Sequence, residues 1–161
     1  MHITSFWSKG CLALFAAAFF LALGMVSTGG AVTERYVGSE ACGDCHEVEY
    51  DSFYTHSSKA HSGKSVQVMM KDLTPQELIQ CYECHVTGYG KPGGFVSFEE
   101  TPGLADVGCE TCHGPGYDHV ESGGELELIK YDLDVADCEQ CHNADRVTPY
   151  NYKPMLFAAA H

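Results

Sequence analysis

Cys109-Glu110-Thr111-Cys112-His113 sets two thiols three residues apart and an imidazole directly after the second. On a helical turn, positions i, i+3 and i+4 share one face, so the three groups project the same way. The arrangement recurs upstream as Cys81-Tyr82-Glu83-Cys84-His85 and Cys42-Gly43-Asp44-Cys45-His46, and downstream as Cys138-Glu139-Gln140-Cys141-His142. A single copy also fits half of a zinc site, a redox dithiol or two halves of disulfides. None of those requires histidine beside the second cysteine. With 9 His in 161 residues, chance puts His after all four pairs with a probability on the order of 10⁻⁵, so the repetition selects attachment of haem c. The expectation is four covalent haems. Cys42, Cys45, Cys81, Cys84, Cys109, Cys112, Cys138 and Cys141 would carry the thioethers, and His46, His85, His113 and His142 would be the proximal ligands.

Of the nine cysteines only Cys11 stands outside these motifs. It opens an apolar run, Cys11–Val26, that follows the lone cation Lys9 and ends in the small residues Gly29-Gly30-Ala31. This pattern reads as a secretory signal, residues 1–31, cleaved after about Ala31. The competing reading is an uncleaved anchor, since 10–33 carries no charge. The apolar run is short for a membrane span, so no stable membrane insertion is expected once the signal is removed. Residues 32–161 then form one domain, and a second would have too few residues for a core of its own. A secreted destination agrees with the motifs, because bacterial c-type haem is attached outside the cytoplasmic membrane.

Residues 32–161 keep 8 Lys/Arg and all 22 Asp/Glu, a formal charge of −14. Such acidity argues against nucleic acid and anionic membrane surfaces as partners and favours redox proteins with basic docking faces, at rates that fall as salt rises. It also serves plain solubility.

The proximal histidines are 39, 28 and 29 residues apart, and the segments between them share little similarity. So few residues per haem cannot build an ordinary core, so the macrocycles serve as the apolar centre and the haem-free chain should be largely unfolded. A mainly α chain with extensive loops and little conventional core follows, organised around four covalently bound haems. Thr74-Pro75-Gln76-Glu77 predicts a capping box with Pro at the first helical position, and Asp134 predicts a cap on the turn leading to Cys138. Gly88–Gly94, Gly114-Pro115-Gly116 and Ser122-Gly123-Gly124 predict loops. Phe95-Val96-Ser97-Phe98 predicts a short strand. Residues from Glu47 to about Ser58 predict a helix with Val48, Phe53 and Tyr54 turned inward. Tyr50, Tyr131, Tyr150, Tyr152 and Phe157 read as packing for haem edges rather than as catalytic groups.

After signal removal, four histidines remain beyond the proximal set: His56, His61, His119 and His161. Four candidates for four irons suggest bis-histidine coordination, which suits outer-sphere electron transfer. Met69, Met70 and Met155 compete for the same positions and read better as packing residues. His119 lies six residues past His113, across the Gly114-Pro115-Gly116 turn, too close to wrap the same haem, and is expected on a neighbouring one. His61 is likewise expected to cross to another haem. His56 reads equally as a solvated surface residue. The apolar residues before the terminal His161 could dock it.

Tyr36-Val37-Gly38-Ser39-Glu40-Ala41-Cys42, the following His46-Glu47-Val48-Glu49-Tyr50-Asp51-Ser52-Phe53, Lys59-Ala60-His61 and Gly108–Gly116 resemble the cytochrome c-554 family of multihaem cytochromes. The resemblance covers most of residues 32–161 and is specific for the superfamily, not for a substrate. It implies a mainly helical fold with closely stacked haem pairs, three bis-histidine haems and one high-spin haem without a sixth protein ligand. Carried onto matching positions, it supports His61, His119 and a C-terminal His as distal ligands, leaves the haem on His85 as the open site, and demotes His56. Some tetrahaem cytochromes with related features polymerise into extracellular wires through a histidine of one subunit on a haem of the next, a role His161 would suit.

The leading expectation is a periplasmic or extracellular electron carrier rather than an enzyme. The alternatives are a subunit of a polymerised wire, and reduction of a small nitrogen oxide at one five-coordinate haem. Four haems in so short a chain leave little protein to shape a reaction pocket.

Overall fold

The computed structural model describes residues 35–144. The expected signal, His161, Met155, Tyr150, Tyr152 and Phe157 lie outside the described residues. Within them the chain is helical and looped, without strands. The α-helices are α1 (Ser39–Gly43), α2 (Glu47–His56), α3 (Ser62–Met69), α4 (Pro75–His85), α5 (Cys109–His113), α6 (Tyr117–Glu121) and α7 (Val135–Glu139). Short 3₁₀ turns at Ser58–His61, Met70–Asp72, Pro102–Leu104 and Leu126–Leu128 join them.

Local chemistry sets several of these ends. At α4 the Thr74 hydroxyl accepts from the Glu77 N–H, the Glu77 carboxylate accepts from the Thr74 N–H at 2.9 Å, and Pro75 opens the helix. At α7 Asp134 and Asp137 cap each other's backbone in the same reciprocal way. These caps satisfy N–H groups that a helix start otherwise leaves unpaired. Helix α2 stops at His56, where Ser57 turns to extended backbone and its hydroxyl accepts from the Lys59 N–H.

Two sequence expectations are corrected. Val48 does not turn inward with Phe53 and Tyr54: it is 77 % exposed. The helix docks instead through Tyr50, whose ring lies over Gly43 and 4.5 Å from the Tyr54 ring. Phe95–Phe98 is not a strand. The Phe95 N–H donates to the Thr87 carbonyl at 3.0 Å, but the next N–H, of Val96, goes to the Thr101 hydroxyl, so no ladder develops. That single bond forms because Gly94 passes against Gly88, where any Cβ would sit 1.8 Å from the Gly88 carbonyl oxygen.

Among the described residues the buried apolar ones are few: Ala60, Val66, Val86, Phe95, Leu104 and Val107. Val86, Phe95 and Leu104 form one cluster, walled by Tyr36, Tyr82, Tyr89 and Phe98. By contrast Val68, Ile79, Leu126, Leu128, Tyr131 and Leu133 are exposed on the protein surface. A chain that leaves large apolar groups uncovered while burying so few is built for another apolar body to complete it.

Candidate haem-binding centre

All four motifs are wound into single helical turns. The third is α5 itself and the second is the last turn of α4. In the first and fourth, the histidine N–H closes back on the carbonyl of the leading cysteine, His46 to Cys42 at 2.9 Å and His142 to Cys138 at 2.8 Å. Each turn therefore presents two thiols and an imidazole on one face. None of these eight cysteines is paired in a disulfide.

Polar side chains tie the turns together. Helix α1 packs against α5 as well as α2. Glu110, one of the two spacer residues of the third motif, is only 3 % exposed. Its carboxylate accepts from the backbone N–H groups of Val37 at 2.9 Å, Gly38 at 2.8 Å and Gly116 at 2.7 Å. The stretch before the first motif and the turn after the third are thus clamped to one buried carboxylate, whose charge three donors offset. The Ser39 hydroxyl accepts from the Cys109 N–H at 3.0 Å. The Cys42 and Cys109 thiols lie in hydrogen-bond contact. The Cys42 thiol holds Cys109 down at about 6, and the same contact, with burial, pushes Cys42 well above the ordinary thiol range.

The second motif joins this frame through hydroxyls. Ser62 Oγ donates to the His85 carbonyl at 2.8 Å and accepts from the Val107 N–H at 2.9 Å. Thr87 Oγ1 donates to the Asp106 carbonyl at 2.7 Å and accepts from the Gly108 N–H at 2.9 Å. The fourth motif reaches the third through Lys130. The His113 Nδ1 donates to the Lys130 carbonyl at 2.7 Å, and the Lys130 ammonium pairs with Asp137 in α7. Burial pushes the Cys112 thiol up, and burial with the nearby Lys59 charge lowers His142.

Among the distal candidates, His119 has the most defined surroundings. Its ring lies nearly parallel to that of His46, with an 18° tilt and centroids 6.4 Å apart. Its Nδ1 donates to the Glu125 carbonyl at 2.9 Å, so the nitrogen that would bind a metal is Nε2. The Ser122-Gly123-Gly124 turn delivers that carbonyl: Ser122 Oγ bridges the His119 carbonyl and the Glu125 N–H, and Gly123 and Gly124 take φ of 80° and 105°, open to glycine alone at no cost. His61 is exposed, with Nε2 3.1 Å from the Tyr54 carbonyl, and lines an open depression of about 440 Å³ with Lys64, Ser65, Val68 and Met69. His56 is exposed at the end of α2. Glu110, Ser39, Ser62, Thr87 and the Lys130 carbonyl were not foreseen. Glu110 carried no distinguishing signal in the sequence, since an acidic residue stands between the cysteines of every motif: Asp44, Glu83, Glu110 and Glu139.

The donors fit covalent haem. His46 and His119, with ring centroids 6.4 Å apart, are close enough that both would hold one haem iron. The Nδ1 bonds of His113 and His119 to carbonyls are the partners that metal-bound imidazoles take. Four such turns on a mainly helical frame define a multihaem c-type cytochrome.

The family model described as cytochrome c554 and c-prime matches residues 41–114. Cytochrome c-554 of Nitrosomonas europaea is 33 % identical over 133 residues, covering 73 % of this chain and 54 % of that protein. The solved structure of the reduced state of cytochrome c554 from the same organism superposes with a TM-score of 0.50 at 26 % identity, over 77 % of this chain and 76 % of that one. The chain belongs to the cytochrome c-554 family and carries covalently bound c-type haem. It spans about half the length of the curated relative it matches. Among the described residues, no helix is long and apolar enough to cross a membrane.

Proposed function

We propose that the chain is a four-haem electron carrier of the periplasm or the extracellular space, released from a signal at residues 1–31. The observation that carries this reading is the nearly parallel pair His46 and His119, drawn from distant segments, which together would hold one haem iron for outer-sphere electron transfer. Bound haem supplies the one-electron couple. The chain's own residues do the rest: the cysteine pairs fix each macrocycle, the proximal histidines ligate, and carbonyls at Lys130 and Glu125 orient two of the rings. Glu110, Ser39, Ser62 and Thr87 hold the turns at set distances, and the acidic surface steers a redox partner with a basic face.

Intact-mass measurement of the protein made in a haem-attaching host tests the first part. The expected mass is that of residues 32–161 plus four haems. Paramagnetic resonance of the oxidised protein, before and after cyanide or nitric oxide, tests the second. Low-spin haems unmoved by either ligand support a carrier or a wire. A high-spin haem that takes up ligand supports small-molecule chemistry at the second motif, and fewer than four haems would sink the reading.

A further inference from the structure

The second and third motifs differ in what lies behind the proximal imidazole. His113 Nδ1 donates to the Lys130 carbonyl at 2.7 Å, and the Lys130 N–H returns a bond to the His113 carbonyl at 3.0 Å. The ring and the strand of chain facing it are locked by two reciprocal bonds. His85 has its carbonyl held by Ser62, but its Nδ1 is buried without a hydrogen-bond partner. An imidazole bound to a metal through Nε2 carries its proton on Nδ1, and an acceptor for that proton makes the ring a stronger donor. A stronger donor favours the ferric state, and second-shell hydrogen bonding is one of the levers by which a protein sets haem potential.

We infer that His85 is the weaker proximal donor of the two, so that the haem on the second motif holds its electron at a more positive potential than the haem on the third. The inference rests on the haem attachment proposed above and adds a direction to it: within this pair, electrons settle on the second motif. His85 and the Lys130 carbonyl act here as tuning groups, through the strength of one axial bond.

The test uses the haem-loaded full chain. Haem-methyl proton signals followed through a redox titration give individual midpoints, and Overhauser contacts to Tyr82 and Thr111 assign the second-motif and third-motif haems. The expected ferrous preference of the second-motif haem is at least tenfold greater, about 59 mV for a one-electron couple. The ligand on the far side of each iron also sets its potential, so a pair of variants differing only in the Lys130 N–H, whose bond to the His113 carbonyl holds the Lys130 carbonyl behind the ring, loosens that acceptor without touching either iron's ligands. Lys130→Ala removes the side chain and keeps the N–H; Lys130→Pro removes both. Relative to Lys130→Ala, Lys130→Pro should shift the third-motif midpoint positive and leave the second in place. Should the proline variant fail to fold, the nitrogen-15 shift of the ring Nδ1–H in the unaltered reduced protein reads the same contrast, hydrogen-bonded at His113 and free at His85. A third-motif midpoint at or above the second, or a hydrogen-bonded shift at His85, overturns the inference with the haem count intact. An intact mass lacking either haem overturns it together with the proposed function.

Discussion

The imidazoles of His46 and His119, 73 residues apart in the chain, lie nearly parallel, with an 18° tilt and 6.4 Å between centroids. The first comes from a haem-binding turn and the second from α6, past the third motif. Holding one iron between such distant segments, the pair would make it a cross-link as well as a redox centre. His119→Ala should therefore convert one low-spin haem, that of the first motif, to high spin, and should lower the denaturation midpoint of the holoprotein. Paramagnetic resonance of the oxidised variant reads the first effect. An unchanged low-spin count would separate His119 from that iron.

Glu110→Gln keeps the shape and removes the charge. The amide retains one acceptor oxygen for three backbone N–H donors and turns its NH₂ toward one of them, so charge-assisted bonds are lost in a buried setting. The expected loss is about 2–4 kcal/mol, measured by denaturant unfolding of the haem-loaded protein. A loss below about 0.5 kcal/mol, the range of ordinary surface changes, would show that the clamp contributes little.

Gly63→Ala places a Cβ 1.8 Å from the Ala105 carbonyl oxygen. Backbone cannot yield as a flexible side-chain tip does, so α3 and the 105–107 segment must part. That movement also threatens the bond from the Gly63 N–H to Asp106 at 2.7 Å and the one from the Val107 N–H to Ser62. Overpacking of this kind costs about 1–3 kcal/mol or more. Thermal unfolding compared with Gly103→Ala, where a Cβ meets nothing within 4 Å, gives the measure.

Thr74→Ala removes an N-cap and should cost about 1 kcal/mol at neutral pH. Hydrogen bonds from Thr74 hold the Glu77 carboxyl below its ordinary value. A depressed folded pKa contributes stability that is present above the unfolded value and disappears as pH falls through the folded one. Of these bonds Thr74→Ala removes only that of the hydroxyl, so the gap between the variant and the parent should narrow in acid, and a gap independent of pH from 7 down to 3 would show that the Thr74 hydroxyl does not hold the Glu77 carboxylate.

Replacing both cysteines of the second motif with serine should leave one haem fewer and expose the apolar flank of α4, where Ile79 is already uncovered by protein. Far-ultraviolet circular dichroism should show lost helix around that motif, and the fully haem-free chain should be largely unfolded. Native-like helicity without haem would mean that the protein atoms alone suffice.

What could be read beforehand follows from range. The four turns, the Thr74–Glu77 box and the Asp134 cap depend on residues within four positions of one another, and each was visible in sequence. Val48 and Phe95 were misread because their surroundings are set from elsewhere, Val48 by a helix that docks through Tyr50 and Phe95 by the passage of Gly94 against Gly88. The spacing of His113 and His119 said only that His119 must serve another haem. Which one depends on the Glu110 clamp, which leaves no pattern along the chain, and on the Ser122-Gly123-Gly124 turn, which was legible as a loop but not as the carrier of the Glu125 carbonyl to His119. The asymmetry between His85 and His113 lies in backbone carbonyls, which no side-chain motif encodes.

The Glu110 clamp also has a bearing on time. The Val37 N–H waits for an acceptor 73 residues further along, so a chain delivered from its amino end presents the first haem-binding turn long before the carboxylate that anchors it arrives. Over that interval the first turn stays accessible to whatever machinery attaches its haem, and it becomes fixed in place only when the third turn follows. Order of delivery then becomes order of assembly, with the first macrocycle installed on a loose segment and the last on a frame already standing.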